Sequence, residues 1–130
     1  MTECVLDTSA LLTFVFKEEG SRKVEAWLDR GATVSTVVLQ EFVTRLLQEG
    51  FSSDDTEAAV ESLGVDVHNH TSTLAFDAAS VYASTRNLDL THVDRSCLAL
   101  ASYLGVPAVT ADREWDALDP NLGILIEQVR

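Results

Sequence analysis

The chain has 130 residues and a formal charge of −12 at pH 7. This length suits one domain with a single core, so we expect residues 1–130 to fold as one unit. The acidic balance disfavours tight nonspecific binding to nucleic acid, because such binding needs cationic groups that replace counterions around phosphate. It favours divalent cations or a basic protein as binding partners.

The sequence contains no pattern typical of a membrane span or a secretory leader. No apolar run approaches the roughly 20 residues that a transmembrane helix needs, and the N-terminal MTECVLDTS has no basic segment before an apolar stretch. We therefore expect a soluble cytoplasmic protein. Cys4 and Cys97 lack the spacing of metal ligands. We expect two reduced core residues, with a Cys4–Cys97 disulfide as the open alternative.

The first half of the chain alternates short apolar runs with segments of helical periodicity. Asp7 follows the apolar run Val5-Leu6 and begins an N-cap signal with Thr8 and Ser9. In order we predict a strand at 5–6, a short helix through Phe16, a helix ending at Gly31, a strand at 33–34, a helix from Ser35 or Thr36 to Gly50, a helix at 53–63 and a strand at 65–68.

The second half continues the same alternation. We predict a helix containing 74–82, a helix that opens at 91–94 and ends before Gly105, a strand at 106–110, a turn or short helix at 112–118 and a last strand within 124–129. Strands and helices that alternate in this way predict a three-layer α/β/α fold around a mainly parallel central sheet.

Four acidic residues lie where predicted elements begin or end. Asp7 and Asp112 follow strands, whereas Glu41 and Asp94 lie in the early turns of helices. Open parallel sheets bind ligands beyond the carboxyl ends of their strands, and carboxylate oxygens are the ligands that Mg²⁺ prefers. The set predicts a metal site for phosphodiester cleavage, in which crowding raises the pKa of at least one carboxylate.

Each acid also has an ordinary structural interpretation. Asp7 can cap the helix that follows it, and Asp94 can complete a capping box with Thr91. Glu41 can form a surface ion pair with Arg45, four residues later on the same helix. Taken one at a time, these roles are favoured over catalysis.

Four segments in order resemble the PIN domain family, in particular the VapC-type ribonuclease toxins of bacterial toxin–antitoxin pairs. They are VLDTSALL, STVVLQEFVTRL, LTHVDRSCLALA and VPAVTADREW. The resemblance implies a metal-dependent endoribonuclease in which Asp7, Glu41, Asp94 and Asp112 hold Mg²⁺ or Mn²⁺. It implies hydrolysis of RNA by a metal-activated water, which leaves 5′-phosphate and 3′-hydroxyl ends. It also implies a homodimer and a cognate antitoxin that blocks the site.

Further residues match or flank the positions that carry this resemblance. Thr110 matches a position that supports the metal-binding loop, Ser9 matches a hydroxyl position near the first aspartate, and Asp116 follows at a spacing where some members carry another acid. Three arginines follow the acids closely and could bind substrate phosphate, with salt bridges as the alternative: Arg45, Arg95 and Arg113.

A noncatalytic function is the alternative to the nuclease. A PIN-like domain retained for dimerisation and for binding a basic protein partner would also fit the charge of −12. The four intact acids favour the enzyme.

Overall fold

The computed structural model describes residues 2–130, in which five short strands form one sheet. The strands are β1 (Cys4–Leu6), β2 (Ala32–Ser35), β3 (Asp66–His68), β4 (Ala108–Thr110) and β5 (Ile126–Gln128). Their order in the sheet is β3-β2-β1-β4-β5, and every neighbouring pair is parallel. The predicted three-layer α/β/α fold with a mainly parallel sheet is confirmed.

Helices connect these strands. They are α1 (Thr8–Val15), α2 (Ser21–Arg30), α3 (Thr36–Gln48), α4 (Ser53–Leu63), α5 (Ser72–Ser80), α6 (Tyr82–Thr85) and α7 (His92–Leu104), with 3₁₀ helices at Arg113–Ala117 and Pro120–Leu122. The predicted helix through Tyr82 is in fact two helices. Ser80 donates its hydroxyl to the Phe76 carbonyl at 2.9 Å near the break, and such bonds between side chain and backbone bend helices.

The core lies around the three inner strands of the sheet. All residues of β1, β2 and β4 are buried, as in parallel sheets covered by helices on both faces. Cys4 and Cys97 are free, buried thiols, as predicted. Burial raises the pKa of Cys4 to about 12 and that of Cys97 well above its usual value, so both are unreactive at neutral pH.

The strand order reverses at β1. The chain runs outward from β1 to β2 and β3, then returns to place β4 on the other side of β1. Leu6 pairs with Val109, so the carboxyl ends of β1 and β4 are adjacent. Open α/β sheets bind their ligands in the crevice at such a reversal, and this crevice holds the candidate site.

None of the helices in residues 2–130 combines the length and the apolar character that crossing a membrane requires.

Candidate active site

Asp7 is the most buried acid of the site, with 3% of its surface exposed. Its Oδ1 accepts a hydrogen bond from the Ala10 N–H at 2.8 Å, and its Oδ2 accepts one from the Thr110 hydroxyl at 2.7 Å. The Ser9 hydroxyl lies 2.8 and 2.9 Å from the two oxygens. Burial raises the pKa of Asp7 to about 7 against these bonds, and the charge of Asp94 raises it further. The side chain of Asp7 is therefore fixed in orientation, and its ionised form is disfavoured.

The two hydroxyls also hold the loop after β4. Ser9 accepts a hydrogen bond from the Ala111 N–H at 3.0 Å. Thr110 accepts one from the Asp112 N–H at 2.9 Å. Each hydroxyl donates to Asp7 and accepts from the loop, so the carboxylate that ends β1 is linked to the backbone that carries Asp112. The structure thus brings Ser9 and Thr110 to the site, where the resemblance expects them.

Asp94 lies in the first turn of α7 and forms the predicted capping box with Thr91. Its Oδ2 accepts from the Thr91 N–H at 3.0 Å, while the Thr91 hydroxyl accepts from the Asp94 N–H at 3.2 Å. Burial raises the pKa of Asp94 although the bonds to Thr91 lower it, and the charges of Asp112 and Glu41 raise it further. Capping leaves the carboxylate close enough to the other acids to repel them.

Glu41 and Asp112 complete the set. Asp112 caps the 3₁₀ helix that follows β4, accepting a hydrogen bond from the Glu114 N–H at 2.9 Å. Glu41 is half-buried on α3, and within residues 2–130 its carboxylate accepts no hydrogen bond. It is therefore the acid of the set whose oxygens are freest to interact with a ligand.

All four acids line one cleft of about 510 Å³ at the strand reversal. They come from four different elements, which the sequence separates by as much as 105 residues. A larger hollow of about 820 Å³ lies against α1 and α2, but it is mainly apolar and contains none of these acids. The convergence of carboxylates makes the smaller cleft the candidate active site.

The donor chemistry of the cleft fits a hard divalent cation. It offers carboxylate oxygens, and two of the acids have raised pKa values because burial and mutual repulsion disfavour their charges. No three His, Cys, Asp or Glu side chains among the described residues stand close enough to form a ready-made metal cage. Mg²⁺ does not need one, since it usually keeps several waters and binds one or two carboxylates directly.

The three arginines have different positions. Arg45 and Arg113 line the cleft, and Arg113 also pairs with Asp116 at 3.7 Å. Over the described chain, Arg45 does not form the ion pair with Glu41 that its spacing suggests. Arg95 is buried below α6 and lines a separate cavity, so the structure removes it from the cleft where the sequence placed it. The one-residue step from Asp94 turns Arg95 to another side of α7.

The sequence did not indicate three other residues of the site. Glu18 and Arg130 line the cleft and form an ion pair at 3.4 Å. Gln128 on β5 donates from Nε2 to the Asp112 carbonyl at 2.7 Å and to Asp116 Oδ1 at 3.0 Å. No local pattern could have identified them, because their partners lie far away in the sequence or across the sheet.

Comparison with known proteins decides the family. Residues 4–120 match the PIN domain family model, a range that contains all four acids. The chain belongs to the PIN domain family. The resemblance that four sequence segments suggested is therefore confirmed for the family. No curated protein matches this PIN domain significantly.

Solved structures show the same fold. A chain of the DNA-bound VapBC complex from Salmonella typhimurium is 20% identical to this PIN domain, with 100% of both chains covered and a TM-score of 0.77. VapC20 of Mycobacterium tuberculosis, a toxin that cleaves the sarcin–ricin loop, is 22% identical over 88% of this chain and 94% of its own, with a TM-score of 0.72. A chain of VapBC2 from Rickettsia felis, bound to a DNA fragment from its promoter, is 13% identical to this PIN domain. The match covers 96% of this chain and 97% of the other, with a TM-score of 0.75.

Proposed function

We propose that this PIN domain is a metal-dependent endoribonuclease and the toxin of a toxin–antitoxin pair. The observation that carries the proposal is the convergence of Asp7, Glu41, Asp94 and Asp112 on one cleft at the strand reversal. The similarity in fold to VapC20, a toxin that cleaves the sarcin–ricin loop, supports the choice of substrate class.

A divalent cation, Mg²⁺ or Mn²⁺, would be held by Asp7, Asp94 and Asp112, directly or through water. Bound there, it would lower the pKa of water and offset the negative charge of the phosphate and of the acids. Asp7 suits this role because three donors fix its two oxygens. Asp94 and Asp112 each have one oxygen bound by a backbone N–H, which orients the carboxylate and leaves its other oxygen available.

Glu41 suits a different role. Its carboxylate has no hydrogen-bond donor in the described part of the chain, and it lies near enough to Asp94 to raise that residue's pKa. A half-buried carboxylate that is free to rotate can orient the attacking water and accept its proton at Oε1 or Oε2. We therefore assign Glu41 to the water rather than to permanent metal binding.

Arg45 and Arg113 are the phosphate contacts of the proposal. Both line the cleft with the acids, and both are exposed. A guanidinium at the rim can bind the nonbridging oxygens of a phosphodiester and reduce repulsion between the substrate and the four carboxylates. Arg113 would exchange its exposed contact with Asp116 for the phosphate, since exposed ion pairs contribute little stability.

The deciding experiment is an RNA cleavage assay with Mg²⁺ or Mn²⁺, using structured RNAs and four proteins purified in the same way. Wild type should cleave, and Asp7→Asn and Asp94→Asn should lose activity because each replaces a carboxylate of the cleft. Asp77→Asn, an exposed acid on α5, is the matched control and should retain it. Equal activity in all four proteins would identify a contaminating nuclease.

The chemistry of the products provides a second test. Attack by water leaves 5′-phosphate and 3′-hydroxyl ends, whereas attack by the RNA's own 2′-hydroxyl leaves a 2′,3′-cyclic phosphate. We expect the first pair of ends. Cyclic phosphate on products of the wild type would contradict the assigned roles of Glu41 and the three aspartates.

The proposal includes a homodimer and a cognate antitoxin. The solved structures of similar fold include VapBC complexes, and a chain of charge −12 complements a basic partner. Sedimentation of the purified protein tests the dimer. Coexpression with the product of a small neighbouring gene tests the antitoxin, which should copurify and inhibit cleavage. A protein that dimerises and binds the partner but cleaves no RNA would instead be the noncatalytic module.

A further inference from the structure

Arg95 is a buried arginine whose charge has no carboxylate partner in the described part of the chain. Only 8% of its surface is exposed. Its Nε donates to the Thr85 hydroxyl at 3.2 Å, and its Cζ lies 5.2 Å from the centre of the Tyr82 ring. Across residues 2–130 no acid comes within ion-pair distance of it. The guanidinium has five N–H donors, so most of its hydrogen-bonding capacity is available.

A largely buried arginine without a carboxylate partner is unusual, because its charge keeps only part of its hydration and gains no counterion in exchange. The contact with Thr85 is with a neutral hydroxyl, and the Tyr82 ring supplies only a modest cation–π attraction. Neither replaces an anion. The most direct physical explanation is that an anion from outside the chain completes the environment of Arg95.

A cavity of about 590 Å³ gives such an anion room. Arg95, His70, His92 and Tyr82 line it over a floor of small apolar side chains from α5. The Nδ1 atom of His70 is buried and has no hydrogen-bond partner within the described residues. No acidic residue among those that the structure describes lines the cavity. In a chain of charge −12, a cavity lined by an arginine and two histidines, with no acid among the described residues, repels a negative ligand less than the acidic cleft does.

This cavity is linked to the acidic cleft through the residues that line a third hollow. A hollow of about 420 Å³ lies between them along α3, and it shares Glu41 and Arg45 with the cleft and Val37 with the Arg95 cavity. One strand of RNA lying in the cleft can therefore continue past Arg45 towards Arg95. The phosphates of a single strand repeat at every nucleotide, so a second phosphate of the same molecule is available to enter.

We propose that the Arg95 cavity binds a phosphate group of the RNA strand whose cleaved bond lies in the acidic cleft. That the ligand is RNA rests on the proposed function. That the cavity binds an anion does not depend on it. The Arg95 guanidinium would bind the phosphate through its free N–H groups, and a ring nitrogen of His70 would donate a further bond. Tyr82 would lie against the adjoining ribose or base.

Inorganic phosphate tests the anion site without any need for catalysis. In metal-free buffer, a phosphate titration followed by NMR should shift the Arg95 Nε–H resonance and the His70 ring resonances to saturation. The shifts should be absent in Arg95→Gln. Resonances of folded wild type that do not change with phosphate would overturn the site. Resonances that shift with protein concentration but not with phosphate would also overturn it, because they would show that a second copy of the chain covers the cavity.

RNA binding tests the identity of the ligand. With EDTA present to prevent cleavage, Arg95→Gln should weaken the binding of a single-stranded RNA about tenfold, the loss expected for a charge-assisted hydrogen bond. It should also reduce the slope of log K against log salt by about 0.7, the value for one phosphate contact on a single strand. Arg86→Gln, an exposed arginine near α6 that does not line the cavity, should change both quantities less.

Arg95→Lys and His92→Gln keep the test decisive if Arg95→Gln does not fold. Lysine retains the charge but loses the planar fork, and His92 is exposed at the start of α7, so both variants should fold and bind RNA more weakly than wild type. Phosphate binding without RNA cleavage would preserve the anion site and reject the proposed function. RNA cleavage and wild-type RNA affinity in every Arg95 and His92 variant would reject this inference and preserve the function.

Discussion

The Thr110 hydroxyl donates to Asp7 Oδ2 at 2.7 Å across the strand reversal, although 103 residues separate the two in the sequence. The same oxygen of Thr110 accepts from the Asp112 N–H at 2.9 Å. One hydroxyl therefore sets the distance between two of the four acids. A change at this hydroxyl should alter the geometry of the cleft without removing any carboxylate.

Replacing Thr110 with valine tests this link. Thr110→Val keeps the branched shape, but it leaves the Asp112 N–H unpaired and removes a donor from Asp7. We expect the free energy of unfolding to fall by about 1–3 kcal/mol, the cost of an unsatisfied buried group. Cleavage should fall about 10–100-fold, as when a residue that orients a metal ligand is changed. Thr110→Ser is the control because it keeps the hydroxyl, and equal activity in valine and serine variants would contradict the role.

The pKa of Asp7 predicts how the stability of metal-free protein depends on pH. An unfolded aspartate loses its proton at about 3.9, whereas folded Asp7 keeps its proton up to about 7. Between these values the folded state binds more protons, so this residue's contribution to stability is present at low pH and is lost as pH rises through about 7. The difference corresponds to at most about 4 kcal/mol.

Asp7→Asn removes this dependence. In EDTA, its stability relative to wild type should increase from pH 4 to pH 7 and then become constant, as measured by denaturant unfolding at each pH. The same comparison with Asp77→Asn, an exposed acid, should give a nearly constant difference. An Asp7→Asn variant that becomes less stable relative to wild type as pH rises would show that burial does not penalise the Asp7 charge.

Divalent cations should reverse the destabilising effect of the acids. At pH 8, Mg²⁺ or Mn²⁺ at about 100 times its dissociation constant should add roughly 2.7 kcal/mol to the free energy of unfolding. Thermal melts with and without the cation measure this, and Asp94→Asn should reduce the increase because it removes both a ligand and a source of repulsion. A wild-type melting temperature that does not respond to either metal would argue strongly against the metal site.

The sequence predicted those features of the fold and the site that depend on local patterns and on the order of motifs. The sequence predicted Asp7 as an N-cap and Asp94 as part of a capping box, and the structure confirms both. Arg95 was misplaced because helical spacing of one residue turns a side chain away from its neighbour. The contacts of β5 with the loop after β4 depend on which strands pair, and no local pattern predicts that β5 lies beside β4. For that reason Gln128 emerged only from the structure.

Gln128 should position the loop that carries Asp112. Its Nε2 donates to the Asp112 carbonyl and to Asp116 Oδ1, which joins β5 to the 3₁₀ turn. Gln128→Glu would place a carboxylate against both acceptors, so repulsion should loosen the turn and lower RNA cleavage about 10–100-fold. Gln128→Leu loses the donors without adding charge and should have a smaller effect.

A merely destabilised fold would also lower activity, so the Gln128 test needs a readout specific to the turn. We expect Gln128→Glu to lower the apparent affinity for Mn²⁺ in cleavage assays at a temperature where the variant is fully folded, because Asp112 is no longer held in place. Glu127→Gln changes the adjacent residue of β5, whose side chain points to the opposite face of the sheet, and should leave the Mn²⁺ dependence unchanged. Equal Mn²⁺ dependence in wild type and Gln128→Glu would show that the contact stabilises the turn without positioning Asp112.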